Sequence, residues 1–277
     1  MGNISASDVN ILRKKTGAGM MDCKNALVEA NGDFEKAIDV LRKKGQKVAS
    51  KRADRDATEG VVLARVSEDC KFGAIISINC ETDFVAKNED FIALTNQILD
   101  NAIKEGIMNS EDLKKTSING LTVEEKLLEQ TGVIGEKIEL GFYESIKDDL
   151  VSAYTHHGNQ LASIAGLNIG DKNLFEAGKD VCMQIAAMNP LGVSESDISQ
   201  DVLDKELEIA KDLARKEGKP EQMIEKIALG RLAKFFKENT LMKQAFIKDS
   251  KKSIEAYLKE QNPDLKVNSF KRFGLSN

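Results

Sequence analysis

Few side chains in this sequence are suited to covalent or metal chemistry. Its only histidines, His156 and His157, are adjacent. Neighbouring side chains on a strand point to opposite faces, so the pair does not readily chelate one metal ion. Cys23, Cys70, Cys80 and Cys182 form no CxxC pair and mostly have apolar neighbours. They read as buried free thiols rather than disulfides or zinc ligands. The lack of histidine also removes most general-base schemes. No catalytic residue, metal or cofactor is therefore expected, and the chain is not expected to be an enzyme. Gly17-Ala18-Gly19 invites a dinucleotide-binding reading, but Asp22 stands where the third glycine belongs and a basic helix precedes it. A tight turn is the better account.

One short segment keeps a different kind of chemistry. Asn79-Cys80-Glu81-Thr82-Asp83-Phe84-Val85-Ala86-Lys87-Asn88 marks a strand-to-helix junction. Thr82 or Asp83 suits an N-cap, accepting hydrogen bonds from the free amides of the helix start. Phe84 would then be one more core residue. A carboxylate and a phenyl ring at a helix tip are also a tool for intruding into another protein, the one competing for charge and the other wedging between elements.

The elements that position this segment follow from periodicity. Val9 and Leu12, then Cys23, Ala26 and Leu27, then Phe34, Ala37, Ile38 and Leu41 give one buried stripe for each of three short helices. Glycines at 17, 19 and 32 supply the stops. The result is a three-helix module of the ubiquitin-associated shape, a recognition unit. Gln46–Glu59 reads as a polar helix leading away from it. Residues 60–66 and 72–78 alternate around Ser67-Glu68-Asp69, as in a hairpin. A long helix from roughly Phe84 to Lys104 follows, with Phe91, Leu94, Ile98 and Ala102 on its apolar face. The grammar recurs downstream: residues 151–154 and 161–167 flank a turn at Gly158-Asn159, and a helix runs from about Asn173 to Met188. Strands at 137–143 and 265–273 complete the two halves. Leu203, Leu207, Ala210 and Ala214 form one seam, Gly218-Lys219-Pro220 breaks it, and Ile224, Ile227, Ala228 and Phe235 form a second. That is an antiparallel helical hairpin. Its remaining apolar surface fits a partner, a second copy or the chain's own core.

The fold class is thus α+β: the N-terminal module, a pseudo-repeated core of two subdomains and an inserted helical hairpin. Expected boundaries are 1–55 for the module and linker helix, 56–145 for the core N-subdomain, 146–200 and 238–277 for the core C-subdomain, and 201–237 for the hairpin. Residues 1–55 carry a balance of +5 and residues 56–277 one of −10. Stacking aromatics are scarce in the basic head and Trp is absent from the chain. Docking on an acidic protein surface is therefore expected, and direct nucleic-acid binding is not. No apolar run reaches the roughly 18 residues a membrane helix needs, and the first residues show no signal-peptide pattern. A soluble, cytoplasmic protein without a membrane partner is expected.

Several motifs then occur in a fixed order. Leu-Arg-Lys-Lys-Thr-Gly-Ala-Gly-Met-Met-Asp-Cys-Lys-Asn-Ala-Leu spans Leu12 to Leu27. Thr82 to Lys87 reads Thr-Asp-Phe-Val-Ala-Lys. Gly135-Glu136-Lys137-Ile138, Gln184 to Pro190, Gly218-Lys219-Pro220, Glu225-Lys226-Ile227, Gly230-Arg231 with Phe235-Phe236, and Gln244 to Asp249 follow. From about Ile11 to Phe273 the chain resembles the bacterial elongation factor Ts family. The resemblance implies guanine-nucleotide exchange on elongation factor Tu during translation. Thr82, Asp83, Phe84 and Val85 would enter the GTPase domain beside its magnesium site. His156 and Gly158 would form a second contact that helps displace the phosphate loop. Arg13, Gly17, Ala18, Gly19 and Met20 would dock the N-terminal module. In relatives the hairpin is often a dimerisation element, which implies a homodimer through it. Departures from the family pattern lie at Gln184, where many relatives have histidine, at Asn159-Gln160, and at Gln244-Ala245-Phe246. The terminal helix that some relatives add against the GTPase is not expected. An adaptor built on the first 45 residues and an enzyme with an acid–base cluster are the competing readings, the enzyme being the weaker.

Overall fold

The computed structural model of the protein describes residues 4–275, and the chain divides into two compact units. Of the described residues, the first comprises 4–63, 76–144 and 274–275; the second comprises 64–75 and 145–273.

The first unit begins with α1 (Ala6–Thr16), α2 (Met20–Glu29) and α3 (Phe34–Arg52). A capping box opens α1: Ser5 Oγ accepts from the Asp8 amide and Asp8 returns the bond to the Ser5 amide. Gly17 closes α1 at φ 71°, a left-handed conformation that its missing Cβ permits. Val9, Leu12, Cys23, Ala26, Leu27 and Ala37 form the buried centre of the three helices. α3 runs unbroken to Arg52, so Gln46–Glu59 is not a separate helix.

β1 (Glu59–Val66) and β2 (Phe72–Cys80) come next, followed by a one-turn helix α4 (Asp83–Ala86) and by α5 (Glu89–Glu105). The single helix expected from Phe84 is therefore two. Asn88 breaks it by capping α5, its side chain accepting from the Asp90 and Phe91 amides. Phe91, Leu94, Ile98 and Ala102 are buried as their spacing requires. α6 (Ser110–Lys115), the short strands β3 (Ser117–Ile118) and β4 (Leu121–Thr122), and α7 (Val123–Ile134) lead into β5 (Glu139–Lys147). The three longer strands form a sheet in the order β1-β2-β5.

In the second unit β6 (Leu150–Thr155) pairs antiparallel with β7 (Leu161–Leu167), Leu150 opposite Leu167 and Thr155 opposite Ala162. α8 (Phe175–Met188) follows, then the hairpin helices α9 (Gln200–Lys216) and α10 (Glu221–Asn239). β8 (Ala245–Phe246), β9 (Asp249–Ser253), α11 (Ile254–Gln261) and β10 (Val267–Gly274) complete the chain, with the second sheet ordered β10-β7-β6. Leu167, Val181, Cys182, Ile185, Leu241, Ile254 and Leu258 form its core. Gln184 is fully buried and fully used: its amide nitrogen donates to Gln244 Oε1 and the Ala245 carbonyl (both 3.1 Å), and its oxygen accepts from the Ile247 amide (2.9 Å). Mixed helix and strand in both units make the fold α+β.

Candidate partner-binding site

β2 delivers the chain to Glu81, and Thr82 turns it into α4. Thr82 Oγ accepts from the Val85 amide at 3.5 Å, so Thr82 is the N-cap. Phe84 is 84 % exposed, the most exposed large apolar side chain described. It is not a core residue. Leaving a phenyl ring in water forgoes about 1.5–3 kcal/mol of burial. Beside it Asp83 pairs with Lys87 at 2.7 Å, and that hydrogen bond holds its carboxyl below the usual aspartate range.

The base of the tip is tied down from several sides. Glu136 Oε2 accepts from the Glu81 and Thr82 amides (3.1 and 3.0 Å), and Oε1 accepts from Thr82 Oγ (2.7 Å). Glu81 in turn accepts both bonds from Arg52 Nη1 (2.7 and 2.8 Å) and one from the Lys137 amide (2.6 Å). The Lys137 amide, then Arg52, hold its carboxyl below the usual glutamate range. Cys80 donates its thiol to the Thr82 carbonyl at 3.2 Å. Burial, with the Glu136 carboxylate adding to it, pushes that thiol up to about 12, which keeps it neutral. In the sequence Glu136 stood out only as part of a matching motif. The helix before it, α7, carries no long apolar stripe, so no local signal marked its place.

An open cleft of about 700 Å³ joins this tip to the N-terminal module. Gly17 lines one wall, Val85 and Asn88 lie beside the tip, and Leu94 and Val133 belong to the packed helices. Two of the segments expected to bind, the α1–α2 turn and the tip, thus border one opening. Comparison with known proteins decides what kind of protein presents it. A family model described as Elongation factor TS matches residues 81–277. The Elongation factor Ts of Christiangramia forsetii is 53% identical over 275 residues, covering 99% of this chain and 100% of that one. That of Flavobacterium psychrophilum is 48% identical with the same coverage, and that of Cytophaga hutchinsonii is 45% identical over both whole chains.

The chain belongs to the elongation factor Ts family. Membership carries a role in translation elongation as a nucleotide exchange factor, not as a catalyst of covalent chemistry. Of the module residues, Arg13, Gly17, Gly19 and Met20 are exposed while Ala18 is buried. Ala18 therefore shapes the turn from inside. Met20 and Met21, 54 % and 63 % exposed, are its apolar outer face. In the second unit His156 and His157 do not lie on a strand. They follow β6 in a turn in which the Asn159 amide bonds the His156 carbonyl (3.0 Å) and Gly158 has φ 89°, as a type II turn requires. His156 is exposed and its Nδ1 meets the Tyr154 hydroxyl at 2.9 Å. Among the described residues no group of three His, Cys, Asp or Glu could hold a metal ion, and no helix is long and apolar enough to cross a membrane.

Proposed function

We propose that this chain accelerates GDP release from elongation factor Tu by pressing Asp83 and Phe84 against the magnesium and phosphate-loop site of the GTPase. The observation that carries the reading is Phe84, fully presented on a one-turn helix whose base is braced. Magnesium bridges phosphate oxygens and loop amides cradle them, so moving either loosens the nucleotide without a catalytic group in the exchange factor. Asp83 supplies the competing charge and Phe84 the wedge; Thr82 and Val85 shape the turn that carries them.

Magnitudes require more than the tip. A release rate raised ~10⁴-fold needs about 5.5 kcal/mol, and burying one phenyl ring supplies about 1.5–3 kcal/mol. The rest falls to a distributed interface that includes Arg13, Gly17, Gly19 and Met20 on the module and His156 with Gly158 on the second unit. Linkage makes the effect reciprocal: the factor by which the complex weakens GDP is the factor by which GDP weakens the complex. The exposed Ile209, Leu213, Met223 and Leu229 of the helical hairpin fit pairing with a second copy of the chain.

Stopped-flow release of a fluorescent GDP analogue from elongation factor Tu tests the reading. Wild type is expected to accelerate release strongly, and Phe84→Ala is expected to slow release more than it weakens binding. Normal exchange by Phe84→Ala would refute the wedge. No acceleration by wild type would move the adaptor reading of the N-terminal module to the front.

A further inference from the structure

We infer that Glu136 is a positioning residue for nucleotide exchange: its carboxylate clamps the backbone just ahead of Asp83 and Phe84 and holds the tip in its working pose. The inference rests on the tip reading above and adds the device that makes the tip usable.

α4 cannot hold itself. It has four residues, no buried side chain, and lies below the length at which helix propagation repays nucleation. Its own cap bond, Thr82 Oγ from the Val85 amide, is long at 3.5 Å, and the Asp83–Lys87 pair is exposed. Such a pair contributes little order. The short bonds lie immediately upstream. Glu136 accepts three, from the Glu81 amide, the Thr82 amide and the Thr82 hydroxyl. The Glu81 carboxylate accepts the Lys137 amide. Each carboxylate thus takes the amide next to the other, and segments 81–82 and 136–137 form a reciprocal clamp. Charge-assisted bonds of this kind are about twice as strong as neutral ones. Gly135, at φ 81°, ends α7 and makes the turn that brings Glu136 under the tip. Arg52, at the end of α3, neutralises Glu81 from the other side. The clamp leaves all of α4 outside, so the ring stays free to enter a partner.

The clamp separates rate from binding. A misplaced tip still reaches elongation factor Tu through the rest of the interface, but it enters the nucleotide site less often. Fluorescent-GDP release is measured against exchange-factor concentration for wild type, Glu136→Ala, Glu136→Gln, Phe84→Ala and the double variant Phe84→Ala/Glu136→Ala. Thermal melting and hydrogen exchange of amides 81–86 run beside it. Glu136→Ala is expected to lower the maximal rate roughly ten- to hundredfold, the cost of misplacement by about 1 Å. Its half-saturating concentration should change by less than about threefold, while amides 81–86 exchange faster and the melt holds. Glu136→Gln keeps an oxygen for both amides and an NH₂ that the Thr82 hydroxyl accepts; it should stay within about threefold of wild type. The double variant should be no slower than Phe84→Ala alone, because Glu136 acts through that ring.

Glu136→Ala at the wild-type rate beside a slow Phe84→Ala would overturn the clamp and leave the wedge standing. So would losses that multiply in the double variant. A wild-type rate for Phe84→Ala would instead sink the tip reading itself. If Glu136→Ala does not fold, Glu136→Asp keeps the charge but draws the carboxylate back by one methylene and leaves the Thr82 cap untouched: a loss that disappears in the Phe84→Ala background supports the clamp, and no loss overturns it.

Discussion

Where α3 crosses α7 the two backbones meet glycine on glycine, and the crossing is asymmetric. A Cβ added at Gly132 would lie 2.5 Å from the Gly45 Cα, whereas one added at Gly45 would lie 3.5 Å from the Gly132 Cα and the Leu128 carbonyl oxygen. Ordinary carbon contacts begin at about 3.5 Å. Gly132→Ala must therefore push α3 from α7 by about 1 Å, and Gly45→Ala fits as the chain stands. Both positions are helical, so alanine gains about 0.5–1 kcal/mol of helix propensity at each. At Gly45 that gain is unopposed. At Gly132 an overpacking cost of about 1–3 kcal/mol works against it. The two variants should differ by about 2 kcal/mol, Gly45→Ala being the more stable.

Hydrogen exchange read by mass spectrometry suits the test, because it reports the opening of α3 and α7 segment by segment. A difference of about 2 kcal/mol is a factor of roughly 30 in the opening equilibrium. Amides of α3 and α7 should exchange faster by about that factor in Gly132→Ala than in Gly45→Ala, while the second unit is unchanged in both. Equal protection, or better protection in Gly132→Ala, would refute the crossing as described.

Three further outcomes are expected. Because Glu81 has its carboxyl depressed, its bonds stabilise the folded state fully above the ordinary glutamate range and are lost as pH falls through the lower folded value. Exchange at the end of α3 should therefore quicken only below that range in wild type, and Glu81→Gln should remove the step; an unchanged step in Glu81→Gln would contradict it. Gln184→Leu strands the Ile247 amide and frees Gln244 Oε1 in a buried site, so it should cost the second unit about 1–3 kcal/mol per stranded group, read by denaturant unfolding; a neutral result would deny the network a structural role. Leu229, 55 % exposed on α10, is a lever on assembly: Leu229→Glu should convert a dimer to a monomer in sedimentation with helix content intact, and a wild-type monomer would end the second-copy reading.

Much of this was legible because it depends on near neighbours. The stripes Val9–Leu12 and Cys23–Leu27 are buried as their spacing demands, and so is the Phe91–Ala102 face; of the third stripe Ala37 is buried, while Phe34, Ile38 and Leu41 are half-buried against the same cluster. Gly218-Lys219-Pro220 separates two hairpin helices, with Gly218 at φ 73°. Failures came where a distant segment decides. Gln46–Glu59 reads as a helix of its own, but α3 runs through Gly45 to Arg52, and Gly45 is a crossing point with Gly132 that no local pattern reveals. The histidine pair was placed on a strand because apolar alternation continues to Tyr154, whereas Gly158 draws both into the turn. α7 went unread for lack of a long stripe: only Val123, Leu127 and Thr131 of its residues are buried. With α7 unread, the placement of Glu136 beneath Thr82 was out of reach.

On the proposed function, the way the tip is held follows from what it does. A side chain that enters another protein cannot also anchor itself in its own core, so burying Phe84 at home would defeat it. Packing from below is equally closed, since a one-turn helix presents no apolar face wide enough. What remains is to fix the backbone upstream with hydrogen bonds from charged acceptors, and both acceptors must then be neutralised or fully bonded to avoid a desolvation cost. Arg52 and the Lys137 amide do this for Glu81, and three donors do it for Glu136. The buried Cys80 thiol fits the same requirement: a thiolate at that place would repel Glu136, and its raised pKa keeps the charge away. Glu81, Glu136 and Cys80 under the tip are thus each either paired or neutral, while the ring above them is left exposed.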